Sequence, residues 1–112
     1  MNPLKYRPTA LTLLDVAEEI FTRADKIYAE GWDKIHSQDV QGFDLETLAD
    51  LWSDSYVAKK YLARARKALH YGGFFKEFRG LLEGLERIAS TADEIAPGAC
   101  LRQFLNDNIL HY

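Results

Sequence analysis

Residues 13–31 read LLDVAEEIFTRADKIYAEG, and their apolar members recur at helical spacing. One series, spaced by four and three residues, comprises Leu13, Ala17, Ile20, Ala24, Ile27 and Gly31. A heptad series widens this stripe with Leu14, Phe21 and Tyr28. The opposite side carries the carboxylates of Asp15, Glu18, Glu19 and Glu30. The pattern predicts an amphipathic helix from about Thr9 to Gly31 with an acidic outer face, unless residues 32–35 add another turn.

The rest of the chain repeats the helical pattern, and no window of strand length alternates between β-branched and polar residues. Further helices are predicted at about 45–52, 55–71, 74–89 and 98–110. Asp44 is expected to cap the first of these, and Gly72-Gly73 to end the second. The expected fold class is therefore all-α. One domain, residues 1–112, would form a small bundle of four main helices plus the short helix 45–52.

The predicted break at Ser53-Asp54-Ser55 rests on helical phase. On a helical wheel, one cluster of apolar residues comprises Leu45, Leu48, Ala49, Leu51 and Trp52. A second cluster, Val57, Tyr61, Ala65, Ala68 and Leu69, lies on a different face. A straight helix cannot bury both faces against one core layer, and Ser and Asp favour caps over helix interiors.

Two features of the C-terminal third predict packing. Gly80 and Gly84 are four residues apart and share one side of a helix, which predicts close approach of another helix. Pro97 is expected to open the last helix. That helix would bury Leu101, Phe104, Leu105 and Leu110. Cys100 is expected to be a small buried apolar residue.

The net charge of −3 conceals three segments of alternating sign. Residues 1–55 carry a net charge of −6, residues 56–79 of +6 and residues 80–112 of −3. On a wheel of the predicted helix 55–71, polar residues gather opposite the apolar face: Lys59, Lys60, Arg64, Arg66, Lys67 and His70. The segment therefore predicts a helix with an almost purely basic outer face.

The basic helix predicts a small, non-catalytic regulatory or accessory protein that docks on nucleic acid or on a nucleoprotein complex, because Lys and Arg side chains bind phosphates. The candidate binding residues are Lys59, Lys60, Arg64, Arg66, Lys67, His70, Tyr71, Lys76 and Arg79. No catalytic residue and no cofactor is predicted. No metal site is predicted either, since His36, His70 and His111 are far apart in the sequence.

Three alternatives stay open. The basic helix could serve a protein adaptor or inhibitor that binds an acidic protein surface. It could instead be a solvated face neutralised by the acidic side of the first helix. Finally, the spacing of Arg64 and His70 resembles the arginine-to-histidine spacing of the helical HEPN ribonucleases, and this implies RNA cleavage by those two residues. A homo-oligomer is also open, because oppositely charged helices could pair between copies.

Localisation is predicted from what the sequence lacks. The longest apolar runs are only three residues, such as 61–63, so neither a membrane-spanning helix nor a leader peptide is expected. The single cysteine, Cys100, cannot form an internal disulfide and suits a reducing compartment. We therefore expect a cytoplasmic protein with no membrane partner.

Overall fold

Three long helices and a short C-terminal segment pack around one hydrophobic core. The computed structural model describes the backbone of residues 7–37, 45–71 and 75–110, and the side chains of residues 13–37, 45–68 and 77–109. The long helices are α1 (Arg7–His36), α2 (Leu45–Tyr71) and α3 (Phe75–Ile95). No strand occurs in these ranges, so the predicted all-α fold class is confirmed. Among the described helices, none combines the length and apolar character that a bilayer crossing requires.

The helix α1 follows the predicted stripe and continues through Gly31 to His36. The further turn at residues 32–35 therefore forms. Gly31 is buried there, and the ring of Trp32 packs on both neighbouring turns, stacking on Tyr28 at a centroid distance of 6.3 Å and meeting His36 edge-on at 4.8 Å. These aromatic contacts offset the helix-propensity cost of glycine, about 1 kcal/mol relative to alanine.

The predicted break in the second helix is wrong, because α2 is continuous from residue 45 to residue 71. Its buried positions are spaced by three and four residues along one straight face: Leu48, Leu51, Ser55, Ala58, Leu62 and Ala65. We call this set the inner stripe. The phase conflict arose because Leu45, Trp52 and Val57 were assigned to the core by hydropathy, whereas all three are exposed. Ser55 is buried within the inner stripe, and no helix begins there for it to cap. The predicted cap at Asp44 lies outside the described residues.

Close contact between α2 and α3 explains both glycines of α3. A Cβ atom added at Gly80 would lie 2.6 Å from Cε1 of Tyr61, and one added at Gly84 would lie 3.0 Å from Cβ of Ala58. The prediction of a closely approaching helix is therefore confirmed. The predicted end near Ala89 is wrong, since α3 continues to Ile95 and buries Ala92. The predicted stop at Gly72-Gly73 lies outside the described residues.

The last predicted helix is divided into a 3₁₀ turn at Pro97–Ala99, the short helix α4 (Leu101–Leu105) and a π-helical turn at Asn106–Leu110. Cys100 joins the first two with a φ of 52°, and it is exposed rather than buried, so that prediction is wrong. The Asp93 carboxylate accepts hydrogen bonds from the N–H groups of Leu101 (2.8 Å) and Arg102 (2.9 Å), which satisfies two donors at the start of α4.

The burial predicted for the C-terminal segment is correct at two positions. Leu101 and Leu105 are fully buried, whereas Phe104 is only partly buried, beneath the guanidinium of Arg23 at 4.2 Å from the ring centroid. The side chain of Leu110 lies outside the described residues.

Candidate binding surface

Two of the predicted binding residues face α1 and are neutralised by it. Lys59 Nζ lies 2.9 Å and 3.0 Å from the two carboxylate oxygens of Asp25, and Arg66 forms an ion pair with Glu18. The two pairs are one heptad apart on each helix, and they show that α1 and α2 run antiparallel. All four side chains are about half exposed, so each pair is worth less than about 1 kcal/mol. Their main effect is to fix the register of the two helices and to cancel two cations.

Three other predicted binding residues point away from the bundle. Lys60, Arg64 and Lys67 are exposed, follow one another at spacings of four and three residues, and make no ion pair with any described residue. We call them the cationic row. The ammonium of Lys60 lies 4.5 Å from the ring centroid of Tyr56, and the Arg64 guanidinium lies 5.7 Å from that of Tyr61. These contacts hold the stems along the helix while the charges stay accessible to a partner.

An apolar stripe on the same side of α2 was missed as a surface. It comprises Leu45, Ala49, Trp52 and Tyr56, which are all exposed. The three large members are 51–55% exposed. Several large apolar side chains exposed along one helix face form a patch that often marks an interaction site. The rings of Trp52 and Tyr56 stack on each other at 5.5 Å with an interplanar angle of 13°. The signal that could have revealed this outer stripe is its own spacing of four, three and four residues, on a different face of the helix from the inner stripe.

A small pocket lies beside the outer stripe, between α1 and α2. Its volume is about 90 Å³, and it is lined by Asp25, Tyr28, Trp52, Ser55, Tyr56 and Lys59. Sites for cofactors and drug-sized ligands usually enclose at least about 300 Å³. The pocket therefore suits water molecules or one inserted side chain, and the surrounding surface suits contact with a macromolecule.

A second depression is shallower and carries charges of both signs. It has a volume of about 420 Å³ and is lined mainly by α3. Its two arginines already have partners: Arg87 lies 4.0 Å from Asp54, and Arg102 donates a hydrogen bond of 2.6 Å to Ser90 Oγ. Its three carboxylates, those of Asp54, Glu83 and Glu86, outnumber the two arginines, which disfavours an anionic ligand.

Of the remaining predicted binding residues, only Arg79 has a described side chain. Arg79 is exposed on α3, where it lies 3.6 Å from Glu83. The side chains of His70, Tyr71 and Lys76 lie outside the described residues, so the Arg64–His70 arrangement stays a prediction. Within the described part of the chain, no three His, Cys, Asp or Glu side chains are grouped as metal ligands.

The outer face of α2 thus combines the cationic row with the outer stripe. The three cations occupy the C-terminal half of the helix, and the large apolar side chains occupy the N-terminal half. Comparisons with protein-family models, with curated proteins and with solved structures found no match.

Proposed function

We propose that this chain is a non-catalytic binding protein that docks on nucleic acid, alone or in a nucleoprotein complex, through the cationic row. The observation that carries the proposal is the difference between neighbouring cations of α2. Lys59 is paired with Asp25, whereas Lys60, Arg64 and Lys67 have no carboxylate partner among the described residues. Exposed cations on one convex face are suited to phosphates, which need no pocket.

The geometry of the row fits a phosphate backbone. Lys60 and Lys67 are seven residues apart, which corresponds to about 10 Å along a helix axis. Successive nucleotides of one strand advance by about 3.4 Å along a duplex axis, so the row spans about three steps. Trp52 and Tyr56 continue the same face and could stack on unpaired bases at one end of the row.

The number of cations sets the expected strength of binding. Three phosphate contacts give a slope of about −2.7 for the logarithm of affinity against the logarithm of salt concentration on duplex DNA, and about −2 on a single strand. Such binding is weak, tolerant of sequence and sensitive to salt. It would assist a partner or an assembly in placing this protein on nucleic acid.

The test compares two double charge reversals by fluorescence anisotropy, with single- and double-stranded DNA and RNA at low and moderate salt. Lys60→Glu/Arg64→Glu alters the row. Lys26→Glu/Lys34→Glu makes the same change in net charge at exposed positions of α1. We expect salt-sensitive binding by the wild type and by the α1 control Lys26→Glu/Lys34→Glu. We expect Lys60→Glu/Arg64→Glu to lose this binding. The proposal fails if the wild type binds none of the four probes, or if both variants bind equally.

A protein partner is the second candidate, and the outer stripe favours it. Tryptophan, tyrosine and arginine are the residues that most often dominate the energy of protein interfaces, and here Trp52, Tyr56 and Arg64 share one helix face. A partner protein that is retained after nuclease treatment and lost with Trp52→Ala would support this function over nucleic-acid binding.

A further inference from the structure

The outer face of α2 has the pattern of a helix–helix seam. The outer stripe is spaced by four, three and four residues, and Ala63, also exposed, follows Tyr56 by one heptad. Apolar residues at this spacing form the contact line of coiled coils. Within this chain, α1 and α3 pack on other sides of α2. The seam is therefore available to another helix.

Charges beside the seam change sign along α2. Glu46 and Asp50 are exposed in its N-terminal half, and the cationic row occupies its C-terminal half. At 100° per residue, these five side chains lie on the same flank of the seam, within about 100° of one another. The reversal falls close to Tyr56. A helix with this distribution is complementary to itself when two copies run antiparallel.

We propose that two copies of the chain pair through the outer faces of α2, antiparallel and related by a two-fold axis near Tyr56. In that arrangement, Asp50 of each copy faces Arg64 of the other. Trp52 and Tyr56 of the two copies meet at the centre, and Leu45 packs towards Ala63. A two-fold interface requires that every contact occur twice, and this distribution satisfies that requirement.

A second copy fits the whole face better than other occupants do. A nucleic acid, or a uniformly acidic helix, complements the cationic row but places negative charge beside Glu46 and Asp50. The α2 helix of a second copy complements both halves. Its footprint is one helix wide, at the low end of specific interfaces, so we expect a dimer that dissociates on dilution. The dimer would cover the cationic row, and nucleic acid would compete with it. The inference itself does not depend on nucleic-acid binding.

Sedimentation velocity over a range of protein concentrations tests the pairing with two opposite charge changes. Asp50→Lys places a lysine opposite Arg64 in both symmetry-related contacts, and Arg64→Asp places an aspartate opposite Asp50 in both. Each single variant should therefore dimerise about tenfold more weakly than the wild type. Mixing the two variants should restore dimers, because both contacts of the mixed dimer then join opposite charges. The introduced lysine faces the introduced aspartate, and the native Arg64 faces the native Asp50. The double variant Asp50→Lys/Arg64→Asp should also dimerise, because each lysine then faces an aspartate.

The matched controls are Glu30→Lys and Lys26→Asp, at exposed positions on the outer side of α1. They should dimerise as the wild type does. A wild type that stays monomeric at every concentration overturns the inference, even if it binds nucleic acid. Equal weakening by the controls, or a double variant that dimerises no better than the single variants, also overturns it. Dimers with the expected charge pattern and no nucleic-acid binding would instead refute only the proposed function.

Discussion

The inner stripe of α2 is buried and the outer stripe is exposed, although both repeat at spacings of three and four residues. The inner stripe contains Ser55, Ala58 and Ala65, and small residues on α3 allow the two backbones to approach closely. The outer stripe contains Trp52 and Tyr56, yet these rings remain about half exposed. The largest side chains of the two stripes are thus on the outside. Burial in this helix follows the shape of the facing helix rather than the hydrophobicity of the residue.

The largest expected difference between the stripes is the loss of stability on substitution at two adjacent residues, Leu51 and Trp52. Leu51 is fully buried, so Leu51→Ala should lower the free energy of unfolding by about 2–5 kcal/mol. Trp52→Ala removes a larger side chain but should cost less than about 1 kcal/mol, because Trp52 is half exposed. Urea unfolding followed by circular dichroism measures both. A greater loss for Trp52→Ala would show that the outer stripe is part of the core.

An intermediate effect is expected where volume is added. Ala58→Leu places three extra carbon atoms against Gly84 and should destabilise the fold by about 1–3 kcal/mol. Ala63→Leu makes the same change at an exposed position of the same helix and should leave stability within about 0.5 kcal/mol. Thermal unfolding of the two variants provides the comparison. Equal melting temperatures would contradict the close packing of α2 on α3.

The smallest effects concern neighbouring lysines. Lys59→Gln removes the ion pair with Asp25 and should cost up to about 1 kcal/mol of stability, less at high salt. Lys60→Gln removes no ion pair to a described residue and should leave stability unchanged while weakening nucleic-acid binding. Parallel unfolding and anisotropy measurements test this separation. It fails if Lys59→Gln reduces binding more than Lys60→Gln does.

The fold class could be predicted because helical periodicity is repeated along most of the chain. The ends of the helices could not, because local preferences were overridden by packing. Gly31 continues α1, where the Trp32 ring contacts both adjacent turns, and Ser55 continues α2 as part of the inner stripe. Cys100 is exposed because a turn held by Asp93 follows α3, and no apolar pattern encodes such a turn.

The exposure of the candidate binding surface was predicted in part. Wheel geometry correctly placed Lys59, Lys60 and Arg64 among the exposed residues of one helix. It could not show that Lys59 reaches Asp25, because that contact depends on the register between α1 and α2. The outer stripe was missed because the helical wheel grouped Leu45 and Trp52 with the buried Leu48 and Leu51.

The contact between Ala58 and Gly84 has a consequence for how this sequence can change over evolutionary time. A side chain larger than a hydrogen at position 84 meets the methyl group of Ala58 at 3.0 Å. Substitutions at these two positions are therefore coupled in volume. In sequences that share this fold, we expect alanine at position 84 to occur together with glycine at position 58, and positions 52 and 56 to vary independently of that pair.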